Sequence, residues 1–511
     1  MQNEENRTNE NIALELNLGD KVEIIESLVN LTNKDCAQIL SVNACFYVES
    51  TEVLLGSVNY TGSLNLNVVF QKSDGSFENL QDKTNVSGRF ENENIDVSSV
   101  IKIIPNIISN EIERVNGDSA KIQTNINLSF INSKNQQIDV YAGGNPDIFV
   151  LQSEIPLSTF VGKNCANFSN QIILNSKMPI KNVLSLTSGA IINKADSLES
   201  VIVFEGQVFA RALVETNEER PLLFAISNFE NFREEVEDGN ATKNSFVEAN
   251  ASVVCPDVTS NISEDATNLE VNVPIRICYS LYETKNITAV KDAYALNNEI
   301  EITTTGFNST DLLGNENFEF KIDGNVSLDE TSPRVDKILC VDGSYLTLTN
   351  IAYADEEILI EGILHTNAIY LNDEENKIYS VDIEIPFSQV ERTNIAGENI
   401  NVKLNYILYD VDVVAKRGRD LYVDAKVKAS ASLSKTISNA IVSNIEIGEE
   451  CEDHKSSIEI YYANAGQTFW DVAKDLKVSE EVLKEQNLGL EEPFAERTKI
   501  VYYKQKIMNI E

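Results

Sequence analysis

The sequence predicts a mainly β chain: three tandem all-β domains, sandwich- or barrel-like, followed by a small βααβ domain. Three observations predict it. Leu64-Asn65-Leu66-Asn67-Val68, Leu269-Glu270-Val271-Asn272-Val273 and Ile383-Glu384-Ile385 alternate apolar and polar residues at period two. A strand with one buried and one wet face reads that way. Turn residues recur between such runs, at Ser73-Asp74-Gly75, Asn116-Gly117-Asp118, Asp238-Gly239-Asn240 and Asp342-Gly343, the punctuation of many short strands. A domain-sized internal repeat then organises the chain.

The repeat is seen at 37–75, 181–219 and 336–375. Each copy has an Ile/Val-Leu pair, a strand, a short irregular stretch and an apolar strand ending at Gly62, Gly206 or Gly362. Leu40 precedes Gly62 by 22 residues and Leu184 precedes Gly206 by 22, while Leu339 precedes Gly362 by 23. No helix follows these glycines, so they read as structural positions, where Gly within a strand marks a bulge or a close backbone approach. The resulting organisation is a disordered N-terminus over 1–12, repeats over 13–160, 161–315 and 316–447, an acidic linker over 448–456 and a last domain over 457–506.

Composition narrows the function. The chain has 511 residues, 42% of them hydrophobic, and a net charge of −39. That charge excludes a nucleic-acid binder, which needs cations to displace phosphate counterions. The N-terminus is polar and acidic and does not read as a signal peptide. No apolar run approaches the roughly 20 residues of a transmembrane segment. Only two histidines are present, His365 and His454, and the seven cysteines include no CxxC pair. The cysteines are expected as buried, reduced thiols, not as a disulfide framework or zinc knuckle. No Walker A, H-E-x-x-H or G-x-S-x-G motif occurs. No enzyme activity, metal or cofactor is expected. Cys340 and His365 share a repeat, but His365 lies in a strand pattern, and Asp410 with Asp412 reads as a solvated strand face.

The texture changes after about residue 456. Ile458–Tyr462 reads as a strand. Thr468 caps a helix, with Asp471 placed to complete a capping box, and Phe469, Val472, Ala473 and Leu476 share one helical face. Ser479 caps a second helix, which Asn487-Leu488-Gly489 ends, and Ile500–Tyr503 closes the domain. This segment resembles a LysM domain. Gly466, Thr468, Trp470, Val472, Ala473, Val478, Leu483 and Asn487 fall on the LysM pattern, and Phe469 takes its Leu position. Gln467 stands where Asp is usual, and Leu488 replaces a frequent Pro. LysM domains bind N-acetylglucosamine glycans through the loops after the first strand and the second helix. The resemblance therefore makes Gly466, Gln467, Thr468, Phe469, Trp470, Asn487, Leu488 and Gly489 the candidate partner- or glycan-binding residues.

Residues 316–445 resemble a SPOCS domain, on the segments SLDETSPRVDKILCVDGSY, EILIEGILHTNAIYLND and VDIEIPFSQV, with the first two repeats as diverged copies. SPOCS copies followed by LysM is the layout of the SipL-like family of spore-coat morphogenetic proteins, to which SpoVID is related. That resemblance implies a non-catalytic adaptor in the mother-cell cytoplasm, at the forespore surface. It would anchor coat layers by binding the coat ATPase SpoIVA, with the LysM domain as the contact and other coat proteins as partners. The alternative is a cell-wall protein that binds peptidoglycan through N-acetylglucosamine.

Overall fold

The computed structural model describes residues 7–116, 119–141, 143, 147–217, 222–255, 261–451 and 458–503. The chain folds as three β units of one topology, followed by a small domain. The first unit has β1 (Arg7–Asn30), β2 (Cys36–Leu54), β3 (Ser57–Lys72), β4 (Phe77–Glu91), β5 (Val100–Asn116) and β6 (Ser119–Tyr141). They form two antiparallel sheets, in the orders β1-β6-β5 and β2-β3-β4. The second unit has β7 (Ile148–Asn175), β8 (Ile180–Leu198), β9 (Val201–Thr216), β10 (Leu223–Glu237), β11 (Phe246–Val253), β12 (Asn261–Ile262) and β13 (Asn268–Ala295). Here β8, β9 and β10 make the meander, and β13 pairs with β7, β11 and β12. The third has β14 (Asn298–Ser327), β15 (Lys337–Ala354), β16 (Glu357–Asn372), β17 (Lys377–Arg392), β18 (Ile400–Arg417) and β19 (Asp420–Glu450), ordered β14-β19-β18 and β15-β16-β17. The last domain has β20 (Ile458–Ala463), α1 (Phe469–Leu476), α2 (Glu480–Gln486) and β21 (Thr498–Tyr503).

Each unit is a two-sheet sandwich, because period-two alternation leaves each sheet one apolar face to bury. The cores centre on Tyr60, Phe70 and Phe130, on Phe204 and Tyr279, and on Ile360 and Tyr370. Gly62, Gly206 and Gly362 lie on the central strands of the three meanders, each beside a register shift in the preceding strand, at Val48/Ser50, Ile192/Lys194 and Leu348/Asn350. The bulge turns a carbonyl toward the glycine. A Cβ there would sit 2.8 Å from the Tyr47 carbonyl, 2.2 Å from that of Ile191 and 2.5 Å from that of Thr347. Only glycine leaves room, and the rings of Phe46, Phe232 and Phe387 cover the space a side chain would take.

The three sandwiches meet around a common centre in an approximate threefold arrangement. Leu40 and Val69 of the first unit, Leu184 and Leu213 of the second, and Cys340 and Ile369 of the third join one apolar cluster. Beside it the buried Asp342 carboxylate accepts hydrogen bonds from Ser41 (2.6 Å), Asn43 (2.7 Å) and Ser185 (3.1 Å). Lys102, Glu248 and Lys403, near the starts of β5, β11 and β18, meet in a second cluster. Lys403 pairs with Glu248 at 2.8 Å and with Glu15, and Lys102 approaches Glu248 at 3.6 Å. Burial raises the Glu248 carboxyl, but the two lysines outweigh it and hold the group below the ordinary carboxylate range.

The long strands continue past the sandwiches. The free ends of β1/β6, β7/β13 and β14/β19 pack together as a three-ribbon stalk, through Ile12, Ile138, Ile155, Ile287, Phe307 and Ile441. The chain passes from unit to unit at the stalk. The expected boundaries at 160 and 315 therefore fall inside β7 and β14, where each strand leaves the stalk and enters its sandwich. A polar stretch looks like a linker, but here it is strand whose wet face lies outside the stalk. The expected disordered N-terminus needs the same correction. Residues 7–12 pair with β6 and Ile12 is fully buried, while residues 1–6 lie outside the described residues. Most of the expected linker 448–456 also lies outside them, and Gly448 to Glu450 belong to β19.

The reduced-thiol expectation is overturned. Cys45 bonds Cys255, linking the first two units, and Cys165 bonds Cys278 across β7 and β13. The partners are 210 and 113 residues apart, so no short spacing announces them; the fold brings them together. Cys36 and Cys340 are buried outside any disulfide, and Cys451 is half-buried.

Candidate partner-binding domain

The small domain is built as its sequence dictates. Asp471 accepts from the Thr468 backbone N–H at 2.7 Å, and the Thr468 hydroxyl accepts from the Asp471 N–H at 3.3 Å, which completes the capping box of α1. Ser479 is the N-cap of α2, but its side chain makes no capping bond. Phe469, Val472, Ala473 and Leu483 fill the core against Ile500 and Phe494.

The eight candidate residues separate into three groups. Thr468, Gln467 and Asn487 hold the frame. Gln467 accepts from the Asn464 N–H at 2.7 Å through its side chain and from the Phe494 N–H at 2.9 Å through its carbonyl. Asn487 donates to the Leu483 and Val501 carbonyls, at 2.8 and 2.7 Å, and accepts from the Val501 N–H at 2.8 Å. Phe469 and Trp470 are buried. Gly466, Leu488 and Gly489 are exposed, Leu488 at 87%. Both glycines have positive φ, 91° and 90°, at turns where glycine is the unstrained choice.

Trp470 faces the second unit, not an open groove. Its indole N–H donates to Asp292 at 2.9 Å, and its ring meets Tyr294 edge-on at 4.9 Å, with Phe149 stacked behind at 5.2 Å. Lys474 pairs with the other Asp292 oxygen at 2.6 Å, and the Tyr294 hydroxyl donates to the Val478 carbonyl at 2.8 Å. Burial raises the Asp292 carboxyl, but the bonds from Lys474 and Trp470 outweigh it and lower the group below its ordinary range. A register shift between Val290 and Asp292 accompanies this site. Lys477 adds a contact to Glu299 at the base of β14. Asp292, Tyr294, Phe149 and Glu299 carried no sequence signal, because they lie in ordinary strand patterns and matter only through the contact.

Among the described residues, the exposed large apolar side chains of the domain besides Leu488 and Leu490 lie on one face of its two-stranded sheet. Ile458, Ile460 and Tyr462 alternate on β20 at 66, 53 and 53% exposure, and Tyr503, paired with Ile458, is 45% exposed. Elsewhere, three side chains of reactive type, Cys340, His365 and Asp410, sit within strands. Burial and the Asp342 charge push the Cys340 thiol far up. His365 stacks on Tyr345 at 4.6 Å beside Glu384, and burial lowers it. Asp410 is exposed and pairs with Lys426 at 2.7 Å. Among the described residues, no three His, Cys, Asp or Glu side chains are grouped to hold a metal ion, and no helix is long and apolar enough to cross a membrane.

The fold and this domain define a mainly β, multi-unit protein with a small terminal domain docked on its stalk. Residues 334–416 match the family model described as SipL, SPOCS domain. The matched segment runs from the turn before β15 through nearly all of β18, within the third unit, and supports a SipL-like family. No curated protein and no solved structure matches the chain.

Proposed function

We propose that this protein is a non-catalytic adaptor of the spore coat, working in the mother-cell cytoplasm at the forespore surface. It anchors coat layers by binding a SpoIVA-type coat ATPase through its LysM-like domain. The observation that carries this reading is the SipL SPOCS match over 334–416. A high Cys340 thiol pKa and a stacked His365 agree with a scaffold role. The contact is assigned to the open apolar face of Ile458, Ile460, Tyr462 and Tyr503, since an exposed apolar patch rimmed by polar residues marks an interaction surface. Trp470 holds the domain to the stalk instead.

The test is retention of purified full chain on immobilised SpoIVA and, separately, on peptidoglycan. Retention on SpoIVA is expected, with loss in an Ile460→Lys, Tyr462→Lys double variant whose tryptophan emission is unchanged. Retention on peptidoglycan alone would install the cell-wall alternative. Binding to SpoIVA that survives deletion of 451–511 would move the contact into the β units.

A further inference from the structure

A cavity of about 590 Å³ opens between the first and second units, lined by the end of β2, the start of β5, and β7, β11 and β13. Its charge runs against the chain's. In a protein of net charge −39, three cations line this one cavity: Lys102, Lys163 and Arg276. The one carboxylate among the lining residues, Glu49, is engaged by Lys83 at 3.3 Å.

Two of the three cations lack a counter-ion among the described residues. The Lys163 ammonium donates only to the Ile101 carbonyl, at 3.1 Å. Arg276 donates through Nη1 to the Tyr47 hydroxyl at 2.8 Å, while its buried Nε–H has no partner. Lys102 does have a carboxylate, Glu248, but Lys403 already holds that group. Burial, then the charges of Lys102 and Arg276, push Lys163 down to about 8, with Glu248 acting in the opposite direction. Like charges gathered in a partly desolvated space cost free energy unless an anion enters. The volume suits a small ligand, and a guanidinium with free donors suits an oxyanion.

We propose that this cavity is an anion site, which takes a small multivalent oxyanion bearing phosphate or carboxylate groups between Lys163 and Arg276. The site is separate from the LysM-like domain, so it stands or falls independently of the adaptor reading.

Calorimetric titration of the full chain with pyrophosphate and with citrate tests it, and the two arms separate phosphate from carboxylate chemistry. Saturable one-to-one binding of at least one anion is expected. Lys163→Met and Arg276→Gln should each weaken it by about tenfold or more, while Lys194→Met, on an exposed hairpin, leaves it unchanged. A bound anion favours protonated Lys163, so binding near pH 8 should take up a proton, seen by comparing buffers of different ionisation enthalpy. Lys163→Arg should keep the binding and lose the proton uptake, because arginine stays charged. Should Lys163→Met or Arg276→Gln fail to fold, that comparison decides. Absence of saturable binding by both anions, or affinity unchanged in folded Lys163→Met and Arg276→Gln, overturns the proposal.

Discussion

Asp292 fixes the small domain to the stalk. One carboxylate receives both the Trp470 indole and the Lys474 ammonium. Hydrogen bonds to a charged group are worth about 1.5–3 kcal/mol when buried, and less here because Lys474 is 40% exposed. Asp292→Ala should therefore undock the domain without unfolding it. Trp470 is the lone tryptophan, so its emission reads the event directly. A red shift with greater accessibility to quencher is expected, and an emission identical to wild type would show that the docking does not depend on this carboxylate. The sequence placed Trp470 beside a recognition loop by its resemblance to LysM. It could not show that the loop's neighbour is a strand end some 180 residues earlier, because nothing local marks Asp292.

At the scale of elements, the repeated glycines pair with repeated bulges. The bulge brings a carbonyl over the central strand of each meander, and the glycine admits it. Gly206→Val would press side-chain carbons against the Ile191 carbonyl and the Phe232 ring. Such overpacking costs typically about 1–3 kcal/mol. A thermal midpoint several degrees lower is expected, whereas Gly239→Ala, with open space around its Cβ position, should leave it unchanged. Equal midpoints for wild type and Gly206→Val would remove the steric account. The recurrence of the glycines was legible in the sequence. The bulges opposite them were not, since a bulge is a property of two paired strands and is written in neither alone.

For the whole molecule, the disulfides decide how firmly the first two units are held. Cys45–Cys255 joins units, and Cys165–Cys278 clips the β7/β13 ribbon. A cytosolic thiol pool keeps such pairs reduced, so at the proposed mother-cell location the two bonds are expected to close only on oxidation. After mild oxidation of the purified chain, three thiols should react on denaturation without reductant, those of Cys36, Cys340 and Cys451. Reduction should lower stability by about 2–4 kcal/mol per bond, read as a fall in the denaturant midpoint. Seven reactive thiols after oxidation would show that the pairs do not form.

The sequence by itself determined the mainly β class, the alternation that gives each sheet a buried face, the three repeats and their glycines, and the two helices of the last domain with the capping box of the first. All of these are local or periodic, and local physics dictates them: side-chain period, cap chemistry, turn residues. Only the tertiary structure decided that strands run unbroken through the expected boundaries. It also decided that three sandwiches share a centre of Asp342, Glu248 and Lys403, that four cysteines pair across 210 and 113 residues, and that Trp470 closes on Asp292. These depend on which distant segments come into contact, and an alternating strand presents the same pattern whether its buried face meets its own sandwich, the stalk or a neighbouring unit.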